Sequence, residues 1–340
     1  LHCQQHVSLF ELSPFGKFEI AGRDALAYLQ LLCCSDVDIE VGRVLYSLML
    51  NQRGGIEAEI TLARLAADRF RLVSGAATRF KDLHWLRRHL DSAMEVKILD
   101  VSEDYAVLGL MGPGSRALLH NLSRADFDAV KFPFSSVQTI QISGCDVHAV
   151  RLSFVGELGW ELYIPTEFMQ GVYDEVITAG AEFDLTHAGY HALNSLRMEK
   201  GYRHWSHDIT DEDSPLEAGL GFAVRFDKPG GFIGKDALLK QKDTGIDRRL
   251  VQFLLKDPEP LLYHNEPIWR GDHVVGHITS GAYGHTLGGC VGLGYVHTDT
   301  GASTAEILEA DYENEVACER VAADASLTPM YDPKNERIRC

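Results

Sequence analysis

The sequence predicts an α+β protein that ends in an all-β tail, and three observations carry that expectation. Through residue 242, β-like and helix-like stretches alternate. From Asp227-Lys228-Pro229-Gly230-Gly231 to Arg249 the composition turns polar and glycine-rich, as linkers do. Beyond it, short apolar runs separated by Gly and Asp turns follow at the spacing of a small barrel or sandwich. The predicted division is therefore 1–242 and 243–340.

Taken in order, Phe15–Ile20 reads as a strand, and Asp24 is placed to cap a helix whose apolar stripe runs from Ala25 to Cys34. Next comes the run Tyr46–Leu50, the turn Asn51–Gly55, and Ile56, Ala58, Ile60 and Leu62 alternating with Glu57, Glu59 and Thr61. That pattern predicts a hairpin with two acids on one face. A strand over Phe70–Ser74 precedes a helix over Ala77–Leu90, which should bury Trp85 and Leu86 and present Arg79, Lys81, Arg87 and Arg88 to solvent. Tyr105–Met111 is a continuous apolar run stopped by Gly112-Pro113-Gly114, and Ser115–Leu122 is helical. Thr166–Phe183 and Tyr190–Glu199 are helical patterns, Leu216–Phe226 is mixed apolar sequence, and a polar helix lies near Lys235–Lys242. In the tail, strands are expected at Leu250–Leu255, Val274–Thr279, Cys290–Val296 and Ala305–Leu308.

Composition excludes several classes of function. With 340 residues, 45% hydrophobic and 24% charged, the chain is long and apolar enough to bury a substantial core. A formal net charge of -17 argues against a nucleic-acid backbone or an anionic membrane surface as the main partner. The seven cysteines are odd in number, Cys33 and Cys34 are adjacent, and no CxxC occurs, so neither a disulfide framework nor a zinc pattern is present. A reducing compartment is expected, with the Cys33-Cys34 pair packed inside. No stretch approaches the roughly 18 apolar residues of a spanning helix, and the opening LHCQQHVSLF has no basic or apolar leader pattern. That opening also lacks Met, as a chain with an upstream part removed or a processed terminus would.

The stretch RLSFVGELGWELYIP, Arg151–Pro165, reads as a binding corner: two β-like runs flank Gly156 and Gly159, which supply the freedom a tight reversal needs. Glu161 falls mid-strand between Trp160 and Leu162. Spacing alone allows an outward-facing strand Glu; the alternative is a desolvated carboxylate that meets the paired N–H donors of a ligand edge. His204 and His207 form an HxxH without further ligands at metal spacing, so no metal is expected.

Five stretches in fixed order resemble the folate-binding aminomethyltransferase family, the glycine-cleavage T-protein and its relatives. They are FVGELGWELYIP (Phe154–Pro165), ALNSLRMEKGYRHWSHDI (Ala192–Ile209), PLEAGLGF (Pro215–Phe222), FIGKDAL (Phe232–Leu238) and GHITSGAYGHTLGGCVGLGYV (Gly276–Val296). Within that family, LNQRGGIEAEITLARL (Leu50–Leu65), GYRHW and PMYDPKNERIR resemble the C-terminal half of flavin-linked sarcosine and dimethylglycine dehydrogenases. The resemblance implies a three-part cloverleaf: two α+β portions on antiparallel sheets, in 1–242, and a C-terminal β-barrel, in 243–340. It also implies transfer of a one-carbon unit to tetrahydrofolate in the bacterial cytoplasm or the mitochondrial matrix.

Residue by residue, the resemblance puts the family's catalytic acid at Glu59, where this sequence has Glu for the usual Asp, and the pterin-binding carboxylate at Glu161. It adds Tyr163, Phe154 and Phe222 as aromatic neighbours of the pterin and Val73-Ser74-Gly75 as a strand-end backbone contact. The position that holds the folate tail through Arg corresponds to Leu193 here, so tail recognition must differ. Arg197 and Glu199 are expected to be a structural pair that holds the helix to its neighbours. No GxGxxG follows a strand, so the resemblance places FAD only on an upstream domain or a partner subunit. The amine implied is sarcosine or dimethylglycine. The alternatives are a folate-dependent O- or S-demethylase, or a non-catalytic module like the regulatory subunit of pyruvate dehydrogenase phosphatase.

Overall fold

A computed structural model of the chain describes residues 1–298 and 303–340, whose strands form two sheets and a closed barrel. The five-stranded sheet runs Val44–Leu50, Ile56–Ala66, Arg69–Ser74, Gly16–Ala21, Lys97–Asp100, antiparallel throughout. The six-stranded sheet runs Leu185–Ala188, Val7–Glu11, Tyr105–Met111, Gly159–Pro165, Cys145–Arg151, Ser136–Ile142. Only its first pair is parallel. Arg248–Leu255, Gly289–His297, His273–Gly284, Pro267–Arg270, Tyr312–Val316 and Glu319–Ser326 close the barrel. The fold is thus α+β with a C-terminal barrel, and closure decides between the barrel and the sandwich that strand spacing left open.

Alternation fixes which face of each sheet does what. On the five-stranded sheet, Ala58, Ile60, Leu62, Phe70 and Leu72 pack outward against the helices Ala25–Leu32 and Arg79–Arg88. On the six-stranded sheet, Leu108, Leu110, Leu162 and Ile164 pack outward against Ser115–Leu122 and Met169–Gly180. Each such buried Leu or Ile contributes about 1.5–3 kcal/mol by leaving water. The opposite faces share a third apolar layer that includes Ala63, Val73, Val107, Val150 and Tyr163. That shared layer is where the candidate site lies.

Several expectations are revised. Ala305–Leu308 belongs to a short helix, Thr304–Leu308, because Ser303 and Glu306 form a reciprocal capping box. Asp24 sits at the N-cap of Ala25–Leu32 without a side-chain cap; its Oδ2 accepts instead from the Glu95 N–H at 2.8 Å. The basic helix face is only partly solvated: Arg79 pairs with Asp100 at 3.0 Å, and the Lys81 ammonium lies 4.0 Å from the Trp205 ring centre. Gly156 does take φ +76°, but Gly159 is required for a different reason, since a Cβ there would lie 2.8 Å from the Leu110 carbonyl oxygen. Cys33 and Cys34 are buried as expected.

After the barrel the chain returns across the Gly156 corner. Tyr331 donates to one oxygen of buried Glu157 at 2.6 Å and Arg337 to the other at 2.6 Å. Fully buried Lys200 donates to the Asp332 carbonyl at 2.7 Å and to Asn335 Oδ1 at 2.8 Å. Gly156 lets this lysine pass, because a Cβ would meet Lys200 Cγ at 2.3 Å. Among the described residues no helix is long and apolar enough to cross a membrane.

Candidate functional site

The turn at Asn51–Gly55 sets the first half of the site. Asn51 accepts the Gly54 N–H through its carbonyl at 3.0 Å and the Gly55 N–H through Oδ1 at 3.1 Å. This fixes the hairpin register with Leu48 opposite Glu59 and Tyr46 opposite Thr61. A bulge beside Met49 and Leu50 leaves Glu57 as the extra residue, so the two acids do not act alike: Glu57 reaches Lys81 at 3.6 Å. Glu59 remains on the strand face opposite Ala58 and Ile60, toward the shared layer.

The hairpin tip is held against the segment after the helix Tyr190–Glu199. A Cβ on Gly55 would lie 1.8 Å from the Asp211 carbonyl oxygen, and Trp205 Nε1 donates to the Ile56 carbonyl at 2.8 Å. The same segment carries Arg203 and Asp208 to the neighbourhood of Glu59. Burial pushes the Glu59 carboxyl up to about 7, while the Tyr46 hydroxyl and Arg203 pull the other way. Asp208 behaves oppositely. Burial alone would raise it, but Arg197 at 2.6 Å and Thr279 at 2.6 Å hold it below the usual carboxylate range.

Glu161 supplies the second half. It lies in the middle of the six-stranded sheet, opposite Gly109 on one side and Val150 on the other, and Leu12 and Met111 fill the space beside Gly109, where a Cβ would lie 2.9 and 3.2 Å from them. Burial pushes it up to about 7, and a 2.8 Å hydrogen bond donated by Tyr163 partly offsets this. Tyr163 is itself buried, with the Arg71 guanidinium 5.5 Å from its ring centre and 4.1 Å from that of Tyr105. Arg71 donates to Glu19 at 2.8 Å and meets His148 Nδ1 at 3.0 Å. Burial and the Arg71 charge push His148 down to about 4, so at neutral pH its Nδ1 accepts that bond. Two desolvated carboxyls, Glu161 beside Tyr163 and Glu59 beside Tyr46, Arg203 and Asp208, are thus each able to gain or lose a proton near neutrality.

The remaining predicted residues divide. Val73 shares the layer with Tyr163, and Phe154 is there too, its ring 5.8 Å from that of Tyr202. Phe222 is 72% exposed and stacks on Tyr46 at 6.0 Å, which puts it on the Glu59 side. Ser74 alternates onto the outer face with Leu72, so only its backbone shares the side of Val73; Gly75 follows with φ -58° and accepts the Thr78 N–H through its carbonyl. Leu193 packs in the shared apolar layer.

Arg197 and Glu199 hold the helix to its neighbours through separate partners, because residues two apart on a helix point to different sides. Arg197 bonds Asp208, whereas Glu199 accepts from the Thr286 and Leu287 N–H groups at 2.7 and 3.0 Å and from Gln4 at 3.0 Å. His204 Nε2 lies 2.8 Å from the Tyr190 hydroxyl, and its ring centre is 4.8 Å from that of His207. Sequence reasoning missed Tyr46, Arg203 and Arg71. Tyr46 alone had a signal, the Asn51–Gly55 turn that sets its place two residues from the partner of Glu59.

A ligand with a flat, N–H-bearing edge fits these residues. Glu161 Oε2 is held by Tyr163, and its Oε1 accepts from no donor among the described residues. The two sheets and the closed barrel define a three-part α+β protein. The chain belongs to the glycine cleavage T-protein family: residues 1–228 match the GCVT N-terminal domain and residues 248–332 the glycine cleavage T-protein C-terminal barrel domain. It is 42% identical over 336 residues to a 4-methylaminobutanoate oxidase (formaldehyde-forming) of Paenarthrobacter nicotinovorans, covering 99% of this chain and 40% of that protein. It is 38% identical over 355 residues to human mitochondrial sarcosine dehydrogenase, covering 100% and 39%. An aminomethyltransferase of Halothermothrix orenii is 37% identical over 292 residues, covering 86% and 80%. In fold the chain matches the glycine cleavage system aminomethyltransferase T of Bartonella henselae, with a TM-score of 0.86, 24% identity, and 98% and 88% of the two chains covered. The chain thus spans about two-fifths of the oxidase and dehydrogenase it matches.

Proposed function

We propose that this chain binds tetrahydrofolate and captures the one-carbon unit released when a methylated amine of the sarcosine or dimethylglycine type is oxidised, giving 5,10-methylenetetrahydrofolate. The flavin for that oxidation belongs to an upstream domain or a partner subunit, and the setting is the bacterial cytoplasm or the mitochondrial matrix. Residues 1–242 carry the folate site and 243–340 the barrel. One observation carries the reading most: Glu59 and Glu161, on different sheets, are both pushed up to about 7 toward one apolar layer.

Tetrahydrofolate supplies the two nitrogens that bridge the one-carbon unit. Glu161, with Oε2 fixed by Tyr163, receives the N–H edge of the pterin through its free oxygen. Val73, Phe154 and Tyr163 bound the ring and keep water out, Phe222 flanks the approach beside Tyr46, and the Ser74-Gly75 backbone lies at the strand end. Glu59 takes the proton that the attacking nitrogen sheds and returns one to the departing amine, a role that requires a pKa near the working pH.

The test is calorimetric titration with folinate, followed by single-turnover capture of formaldehyde on tetrahydrofolate. Folinate should bind saturably, Glu161→Ala should abolish binding, and Glu59→Ala should keep binding while slowing transfer by about 10²–10⁴-fold. Absence of folinate binding by a folded chain would replace catalysis with a non-catalytic scaffold reading. Undiminished transfer in Glu59→Ala would remove that residue from the chemistry.

A further inference from the structure

Far from the paired carboxyls, the six-stranded sheet begins with its parallel pair, Val7–Glu11 against Leu185–Ala188. Val7 pairs with Leu185, so the residues just before them, His6 and Asp184, are brought to the same end of the pair. His2 lies four residues before His6 across the short helix His2–Gln5. Its ring stacks on that of His6 at 4.8 Å, and its Nε2 is 2.8 Å from the Asp184 carbonyl oxygen. His6 Nδ1 is 3.8 Å from Asp184 Oδ2. Asp184 is held in the left-handed region, φ 54°, a conformation that turns the chain into the strand and sends its carboxylate back toward the histidines.

We propose that His2, His6 and Asp184 form a binding site for a borderline divalent transition cation of the Zn²⁺ or Ni²⁺ kind. One ligand atom from each residue lies within 4.8 Å of the other two. Tetrahedral coordination at Zn–N and Zn–O distances of about 2.0–2.2 Å needs ligand atoms roughly 3.3–3.6 Å apart. Closing that difference takes rotation of the exposed His6 and Asp184 side chains toward the half-buried His2 ring. Two neutral imidazoles and one carboxylate select Zn²⁺, Ni²⁺ or Cu²⁺ over Mg²⁺ and Ca²⁺, which take oxygen-rich shells. The fourth position is left to water. His6 and Asp184 flank the first pair of a four-residue edge strand, so the ion pins the edge of the sheet.

The experiment is calorimetry of the whole chain with ZnCl₂, NiSO₄ and MgCl₂, with hydrogen exchange read at Val7–Phe10 and Leu185–Ala188. The wild type should bind one Zn²⁺ or Ni²⁺ and ignore Mg²⁺, and exchange at both strands should slow when Zn²⁺ is present. His6→Ala and Asp184→Asn should each weaken Zn²⁺ binding by about tenfold or more, since even outer-shell partners of metal ligands are worth that much. Both side chains are exposed, so these variants fold, which unchanged circular dichroism verifies. Affinity no tighter than millimolar, affinity unchanged in both variants, loss in His207→Ala instead, or exchange indifferent to Zn²⁺ would each overturn the proposal.

Discussion

Replacing Glu59 by Gln should make the protein more stable at alkaline pH while impairing transfer. The Glu59 carboxyl titrates near 4.5 in an unfolded chain and at about 7 in the fold. Between those values the folded state holds a proton that the unfolded state has lost, so stability falls as pH rises. The contribution of the protonated group is complete below 4.5 and gone above about 7. A gap of this size corresponds to about 3 kcal/mol, and to about half that once solvent screening of a partly exposed carboxyl is allowed for. Glutamine makes no such demand. The urea midpoints of wild type and Glu59→Gln should therefore coincide, or nearly so, at pH 4.5 and diverge at pH 8.5 in favour of the variant, by about 1.5–3 kcal/mol. Equal midpoints at pH 8.5, or a variant less stable there, would refute the claim that Glu59 is desolvated, and with it the basis for its acid–base role.

Tyr163→Phe should raise the Glu161 carboxyl further, because the lost hydrogen bond stabilised the ionised form. The pH midpoint of folinate affinity should then move upward by about one unit, and a midpoint that stays or falls would show that Tyr163 does not hold the carboxylate. Arg197→Ala leaves Asp208 buried without its 2.6 Å partner and should cost about 3–5 kcal/mol in thermal unfolding. Adding Asp208→Asn should recover part of that loss, and strict additivity of the two substitutions would contradict the pairing.

Much of the fold was legible because local pattern and final structure agree. The helices Ser115–Leu122 and Tyr190–Glu199 and the strand Tyr105–Met111 have the boundaries that periodicity and Gly-Pro punctuation imply. The strand reading of Ala305–Leu308 failed because three apolar residues and one Glu over so short a stretch suit either element, while the deciding signal, the Ser303-x-x-Glu306 box, begins before the stretch and ends inside it. Glu59 and Glu161 were reached through the family resemblance. Spacing alone allowed Glu161 to be an outward-facing strand acid on a half-exposed sheet, since nothing local states that its strand lies mid-sheet between Tyr105–Met111 and Cys145–Arg151. Arg71 and Arg203 were invisible for a related reason: each becomes part of the site through residues far away in sequence, and no periodicity encodes such meetings. Arg197 and Glu199 do hold their helix to its neighbours, through Asp208 on one side and the Thr286 and Leu287 N–H groups on the other.

The segment that crosses the Gly156 corner has a consequence for the order of assembly. Its bonds to Glu157 and Lys200 span 174, 180 and 132 residues of chain. Contacts of that separation carry large loop-closure entropy and form after local structure is in place. The strand bearing Glu161 begins just past that corner, at Gly159, so one half of the site is locked only when the returning segment docks. A chain cut short after the barrel would then keep both sheets and still carry Glu161 on a loosened strand, giving a folded protein with a slack grip rather than an unfolded one.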